Sequence, residues 1–249
     1  MGFGHTPYAR FNDMEKEKLY RFQTETELPS FQIREEESDL WIACEKRAEK
    51  KSRRILHALR EDIKKYIEKN PEFLTSLSPV PFNQKAPEII KEMIKCSEIA
   101  LTGPMAGVAG AVAEFLGREI LADSREVIVE NGGDIFMKIE TPRTIGIYAP
   151  GFPPMGLKIV PEMTPLGVCS SSGKHGHSLS FGCADLITVL ASSATLADCL
   201  ATAAGNRIQS ENDMDDALER LRTVRGVSGA VIIAGKKSAF FGNLDFVNL

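Results

Sequence analysis

The strong signatures of metal and phosphate chemistry are missing from this sequence. It has no HExxH pair, no CxxC pair and no Walker-type glycine loop, which sets aside the common zinc-hydrolase, zinc-ribbon and P-loop readings. Cysteine is scarce and odd in number: Cys44, Cys96, Cys169, Cys183 and Cys199 are scattered, which suits a reducing cytosol better than a disulfide framework. Positive charge is not in excess. A formal net charge of −4 argues against a general binder of nucleic acid or anionic membranes. The start, MGFGHTPYARFNDMEKEK, lacks the apolar stretch of a signal peptide or lipid anchor, and residues 1–18 read as a loosely docked beginning. No long apolar run is present either. The most apolar segment, Ile99 to Leu116, is interrupted by Gly103, Pro104, Gly107, Gly110 and Glu114, too broken and polar for a membrane span. A cytoplasmic protein is the expectation.

What is present is ordinary in bulk. The 249 residues are 43% hydrophobic and 26% charged, enough for a proper core in one domain spanning 1–249. The unusual stretch is Ser170 to Asn206, SSSGKHGHSLSFGCADLITVLASSATLADCLATAAGN. It gathers hydroxyls, two histidines and a carboxylate beside little bulk. If residues 174–181 are extended, His175 and His177 share a face. If Ser193 to Asn206 is helical, Asp198 and Thr202 stand four apart on one face. A carboxylate and a hydroxyl are hard oxygen ligands suited to Mg²⁺, which binds through one or two protein oxygens, water and a substrate phosphate. Structural readings stand beside these. Asp198 complements a helix dipole, Thr202 bonds back to a carbonyl, and the histidines serve a turn or packing.

Along the chain, residues 19–27, 30–37 and 39–45 alternate like three antiparallel strands with one face exposed. Glu45 to Asn70 carries an apolar stripe at helical spacing, and its basic cluster is interleaved with acids as on a solvated face. A shorter helix is expected near Ala86–Ser97. Gly103 and Pro104 open another, whose Gly103, Gly107 and Gly110 allow a backbone to approach either a second helix or a ligand; its free amides are able to hold a phosphate. Asn131-Gly132 marks a hairpin, while Gly132 and Gly133 expose amides beside Asp134. Strands follow at 144–150, 156–161 and 166–171, then a helix at 213–225 and a closing hairpin that turns at Gly235. The expected class is α+β, with antiparallel sheets packed against several helices.

The segments GPMAGVAGAVAEFLG, VIVENGGDI, GVCSSSGKHGHSLSFGCADLITVLA and ADCLATAAGN, in that order, resemble a family of uncharacterised ApbE-related proteins of archaea and anaerobic bacteria. More distantly the second half is similar to the ApbE flavin transferases, which use FAD and Mg²⁺ to attach FMN to a Ser or Thr of a target protein. The resemblance implies an ApbE-like (T-fold-like) architecture, a flavin- or nucleotide-like phosphate ligand, and a protein partner. Carried over by motif, it assigns ligand contacts to Gly103, Gly107, Asn131, Gly132, Gly133, Asp134, Ser171 and Gly173, catalytic roles to Ser172 and His177, and Mg²⁺ to Asp198 and Thr202. The chain departs from the transferases after the histidine. His177-Ser178-Leu179-Ser180-Phe181 stands where they have H-x-x-DP. The related family is also associated with sulfur incorporation into homocysteine, so a sulfur-handling role for Cys169 is a second expectation, and a non-catalytic accessory subunit a third.

Overall fold

The computed structural model describes residues 26–172 and 183–249. Of the three early strands, the first (19–27) falls almost wholly outside this range. The other two are β1 (Ser30–Glu35) and β2 (Ser38–Cys44). In β1 the alternation works as read: Phe31 and Ile33 are buried and their neighbours face water.

An eight-stranded antiparallel sheet forms the centre, in the order β1-β2-β3-β4-β7-β8-β9-β10. Its further members are β3 (Val127–Asn131), β4 (Asp134–Lys138), β7 (Leu166–Ser171), β8 (Leu186–Ala191), β9 (Val227–Ala234) and β10 (Lys237–Gly242). The chain leaves this sheet after β4 to form β5 (Arg143–Ile147) and β6 (Met155–Ile159). These two and a C-terminal strand unforeseen from sequence, β11 (Asp245–Asn248), make a second sheet in the order β11-β6-β5.

The helices are α1 (Glu49–Lys69), α2 (Glu72–Thr75), α3 (Glu88–Ala100), α4 (Val108–Leu121), α5 (Ala194–Arg207) and α6 (Met214–Arg222). The sheet separates two cores. Val127, Val129, Phe136, Cys169 and Val189 join the helices' Leu116, Ile120, Ala197 and Leu200. Ile128, Ile135, Met137, Val168 and Leu190 join Ile145, Ile147, Leu157 and Ile159 of the small sheet. Neighbouring positions point to opposite cores because strand side chains alternate. The central strands are therefore buried on both faces, and β3 and β4 read as continuous apolar runs for that reason.

Several boundaries move. The long helix begins at Glu49 rather than Glu45, because Glu45 is held back by Arg125 through its side-chain and backbone nitrogens (2.6–3.0 Å). The helix expected at Gly103 opens as a 3-10 turn, Pro104–Gly107, and becomes α-helical only at Val108. The hairpin pairs Asn131 with Asp134, so its two loop residues are Gly132 and Gly133 rather than Asn131 and Gly132. Both have positive φ, 67° and 103°, as a primed two-residue turn demands.

Candidate functional site

The site is built where the first turns of α4 and α5 meet the β3–β4 hairpin. α4 lies against β3 and β4, and α5 runs along β7 and β8. The contact between the two helices is close because glycine removes the bulk: a Cβ on Gly110 would stand 2.9 Å from Asp198 Cβ, and one on Gly107 would stand 2.5 Å from Cys199 Sγ. A Cβ on Gly103 would run into the Ser76 backbone. The glycines of this segment thus admit protein, which is the packing half of the sequence expectation.

Two buried carboxylates hold the helices together in a reciprocal way. Asp198 on α5 accepts the Gly110 amide of α4 through Oδ2 at 2.9 Å, with the Ala109 amide also directed at it. Glu114 on α4 accepts, through Oε2, the Thr195 amide (3.0 Å), the Thr195 hydroxyl (2.9 Å) and the Ser193 hydroxyl (2.8 Å) at the start of α5. Its other oxygen pairs with Arg118. Each helix therefore presents an acid to the orphan amides and positive dipole end of the other. The anion on the α4 N-terminus is Asp198, where the sequence suggested a phosphate. Glu114 was passed over in sequence as a mere interruption of an apolar segment. The available signal was an acid inside GVAGAVAEFLG with no basic residue nearby except Arg118.

Asp134 is the second carboxylate beside Asp198. It follows the turn, points to the helix side of the sheet, and is 7% exposed. Its Oδ1 is buried with no hydrogen-bond partner among the described residues. Burial first, and the charge of Asp198 second, push its carboxyl well above the usual range, while the Cys169 thiol and Ser170 amide oppose this. Burial likewise pushes Asp198 up to about 7 against the pull of the Gly110 and Ala109 amides. Thr202, one helical turn beyond Asp198, is also buried. Among the described residues no three His, Cys, Asp or Glu side chains cluster as metal ligands, so this is a two-carboxylate arrangement with a hydroxyl.

The other expected residues divide. Asn131 donates its side-chain amide to the Ala109 carbonyl (3.1 Å), tying the hairpin to α4. The Gly133 amide is taken by Glu130 Oε1 at 2.7 Å, whereas a Cβ on Gly132 or Gly133 would meet no atom of the described residues within 4 Å. Ser171 ends β7, half-buried, on the same face as Cys169 by strand alternation, and Ser172 follows it, also half-buried. Gly173, His175 and His177 lie outside the described residues. Cys169 is fully buried, its Sγ 3.2 Å from the Ala194 carbonyl and within reach of the Asp134 carboxyl. Burial and the neighbouring acids push its thiol well up, so it is a poor source of thiolate.

A family model described as AbpE bacteria matches residues 21–238. The chain belongs to this family. Curated relatives include UPF0280 proteins of Methanocaldococcus jannaschii, 39% identical over 203 residues that cover 78% of this chain and 82% of the relative, and of Methanococcus vannielii, 41% identical over 181 residues that cover 70% and 73%. Among solved structures the fold is similar to the flavinyl transferase ApbE of Pseudomonas stutzeri, with a TM-score of 0.58 at 14% identity over 88% of this chain and 95% of that one. It is likewise similar to the flavin transferase ApbE of Vibrio cholerae in its H257G mutant form, with a TM-score of 0.58 at 14% identity over 87% and 97%. The α+β, ApbE-like architecture expected from the motifs is thus the observed one. No single helix among the described residues is long and apolar enough to cross a membrane.

Proposed function

We propose that this family member binds a divalent cation, Mg²⁺ by its oxygen donors, between Asp134, Asp198 and Thr202, together with a flavin- or nucleotide-like phosphate ligand, and acts as a flavin or phosphoryl transferase on a protein partner. The observation that carries this is the orphaned Asp134 Oδ1, buried beside a second buried carboxylate. A native fold rarely leaves such a group unmet unless something binds there. Two desolvated acids suit a hard cation, no Lys or Arg of the described residues being paired with either, and the hydroxyl of Thr202 is a compatible third oxygen.

A bound cation would neutralise ligand phosphates and polarise a phosphoryl oxygen. The chain's own residues do the rest. The Gly110 amide fixes one oxygen of Asp198. The turn at Gly132-Gly133 places Asp134 at the start of β4. Ser171 and Ser172, at the end of β7, are assigned to the ligand's approach, and His177, further along the sequence, is assigned the proton-carrying role because imidazole titrates near neutrality. Binding of nucleic acid is not expected.

The sulfur-handling reading through Cys169 is disfavoured by the burial of that thiol, which with the neighbouring acids pushes its ionisation well up. The test is calorimetric titration of Mg²⁺ into the protein and Asp198→Ala, with and without FAD, joined to mass and absorbance spectra of whatever co-purifies. Cation binding that depends on Asp198 and strengthens with FAD is expected. Equal binding by the two forms would remove the site, and a persulfide on Cys169 would restore the sulfur reading.

A further inference from the structure

The hydrogen-bond partners of Glu114 are Ser193, Thr195 and Arg118, yet these bonds bear on where Asp198 stands. Gly110 and Glu114 are one turn apart on α4, and Thr195 and Asp198 are nearly one turn apart on α5. Asp198 grips the first of these and Glu114 grips the start of the second. The four residues close a ring that spans both helices. A slide of α5 along α4 has to break the Asp198–Gly110 bond and the Glu114–Thr195 bond together. Close packing of Gly110 against Ala194 and Asp198 blocks approach from the remaining side. Glu114 itself is completely buried, and its Oε2 takes three bonds where Asp134 has an oxygen with none from the described residues. Its polar capacity is spent on holding α5.

From this ring we propose that Glu114 is a positioning residue for the cation site: it fixes the first turn of α5 and thereby the place of the Asp198 carboxylate. The proposal rests on the cation reading above. A carboxylate that must share a cation with Asp134 across a helix–hairpin junction has to be held to within about half an ångström. Outer groups that orient a ligating side chain commonly change metal affinity by about 10- to 100-fold.

The probe is Mn²⁺ alone, its free fraction counted by electron paramagnetic resonance in the full-length protein. Wild type binds, and Asp198→Ala does not. Glu114→Ala is expected to weaken Mn²⁺ by about tenfold or more. Glu114→Gln, whose amide oxygen still accepts from Ser193 and Thr195, recovers most of the loss. Thr195→Val, which removes one donor and leaves Glu114 in place, weakens binding by about threefold, the effect of one hydrogen bond, and serves if Glu114→Ala does not fold. Leu116→Ala, a fully buried change on the same helix, lowers stability and leaves affinity unchanged. Unaltered affinity in Thr195→Val or Glu114→Ala, a loss in Leu116→Ala equal to that in Glu114→Ala, or no recovery in a folded Glu114→Gln would each overturn the positioning role while leaving the cation site intact. Absence of Mn²⁺ binding by wild type would overturn both.

Discussion

Glu114 and Asp198 are buried acids on adjacent helices, each accepting amides from the other's first turn, yet they differ in what surrounds them. Glu114 has both oxygens engaged, one by three donors and one by Arg118. Among the described residues Asp198 has no basic partner and stands beside Asp134, which has an oxygen that none of them meets. Similar capping geometry therefore has two meanings. Where the polar atoms are fully met the group stabilises the fold, and where they are left over next to like charge the fold carries a cost that a ligand can offset.

The broadest way to break the comparison is to remove what packs behind the helix pair. α1 lies on α4 and α3 lies on α5, and their Leu56, Ile90, Met93 and Ile94 are fully buried in the shared core. A fragment of residues 98–249 loses these helices and exposes the β3 edge that β2 covers. It is expected to aggregate or melt broadly. A soluble fragment with a sharp transition and full cation affinity would show that the pair needs no support from the first hundred residues.

Next in size, the two acids should respond with opposite signs. Glu114→Ala strands three donors and Arg118 and should cost about 3 kcal/mol in urea unfolding. Asp134→Asn removes a desolvated charge from beside Asp198, and in chelator at pH 8 it should raise stability by about 1 kcal/mol or more, as one pKa unit of differential interaction is about 1.4 kcal/mol. The same variant should lose the stabilisation that Mg²⁺ gives the wild type. If both substitutions destabilise alike, the contrast between satisfied and unsatisfied acids fails.

The pH dependence is smaller and its sign is fixed. Asp134 and Asp198 hold protons to higher pH in the folded than in the unfolded chain. Between the unfolded carboxylate value near 3.9 and about 7, the native state therefore binds more protons and stability falls as pH rises. In chelator the wild-type melting temperature should decline across that window. Asp134→Asn should flatten the decline. A wild-type curve that instead rises from pH 5 to 7, by more than the surface groups account for in the variant, would contradict the burial of the pair.

How much of this was legible in the sequence follows from range. Strand alternation in β1, the helical stripe of α1 and the hairpin signalled by Asn131-Gly132 are local patterns, each readable within a few residues, though the turn itself sits one residue on, at Gly132-Gly133. The i,i+4 pair Asp198–Thr202 was readable for the same reason. Strand order was not, since β4 and β7 are joined across the excursion that forms β5 and β6. Nor was the reciprocal capping. Glu114 and Thr195 are 81 positions apart, and only the helix crossing brings them together. Asp134 was readable as a turn neighbour, but its unmet oxygen is a property of the packed state. The helix at Gly103 was misplaced by several residues because the glycine and proline signal marks the chain's entry, while the α-helix waits for the amides that Asp198 caps.

The smallest effect belongs to the turn that sets Asp134 in place. Gly132 has φ of 67° and no atom of the described residues within 4 Å of where a Cβ would stand, so Gly132→Ala clashes with none of them and its expected cost is conformational, about 1 kcal/mol. Gly132→Asn should cost less, because Asn tolerates the left-handed region. Gly110 is the counter-case: its φ is helical and its Cβ space is filled by Ala194 and Asp198, so Gly110→Ala should cost more and loosen the Asp198 cap as well. Chemical denaturation of the three variants ranks them, and Mn²⁺ affinity supplies the second axis. Gly132→Asn should preserve affinity, since the turn geometry that delivers Asp134 survives. If it lost Mn²⁺ as completely as Asp198→Ala while keeping its stability, the open face of the turn would be a ligand surface in its own right, and the role of Gly132 would be contact rather than conformation.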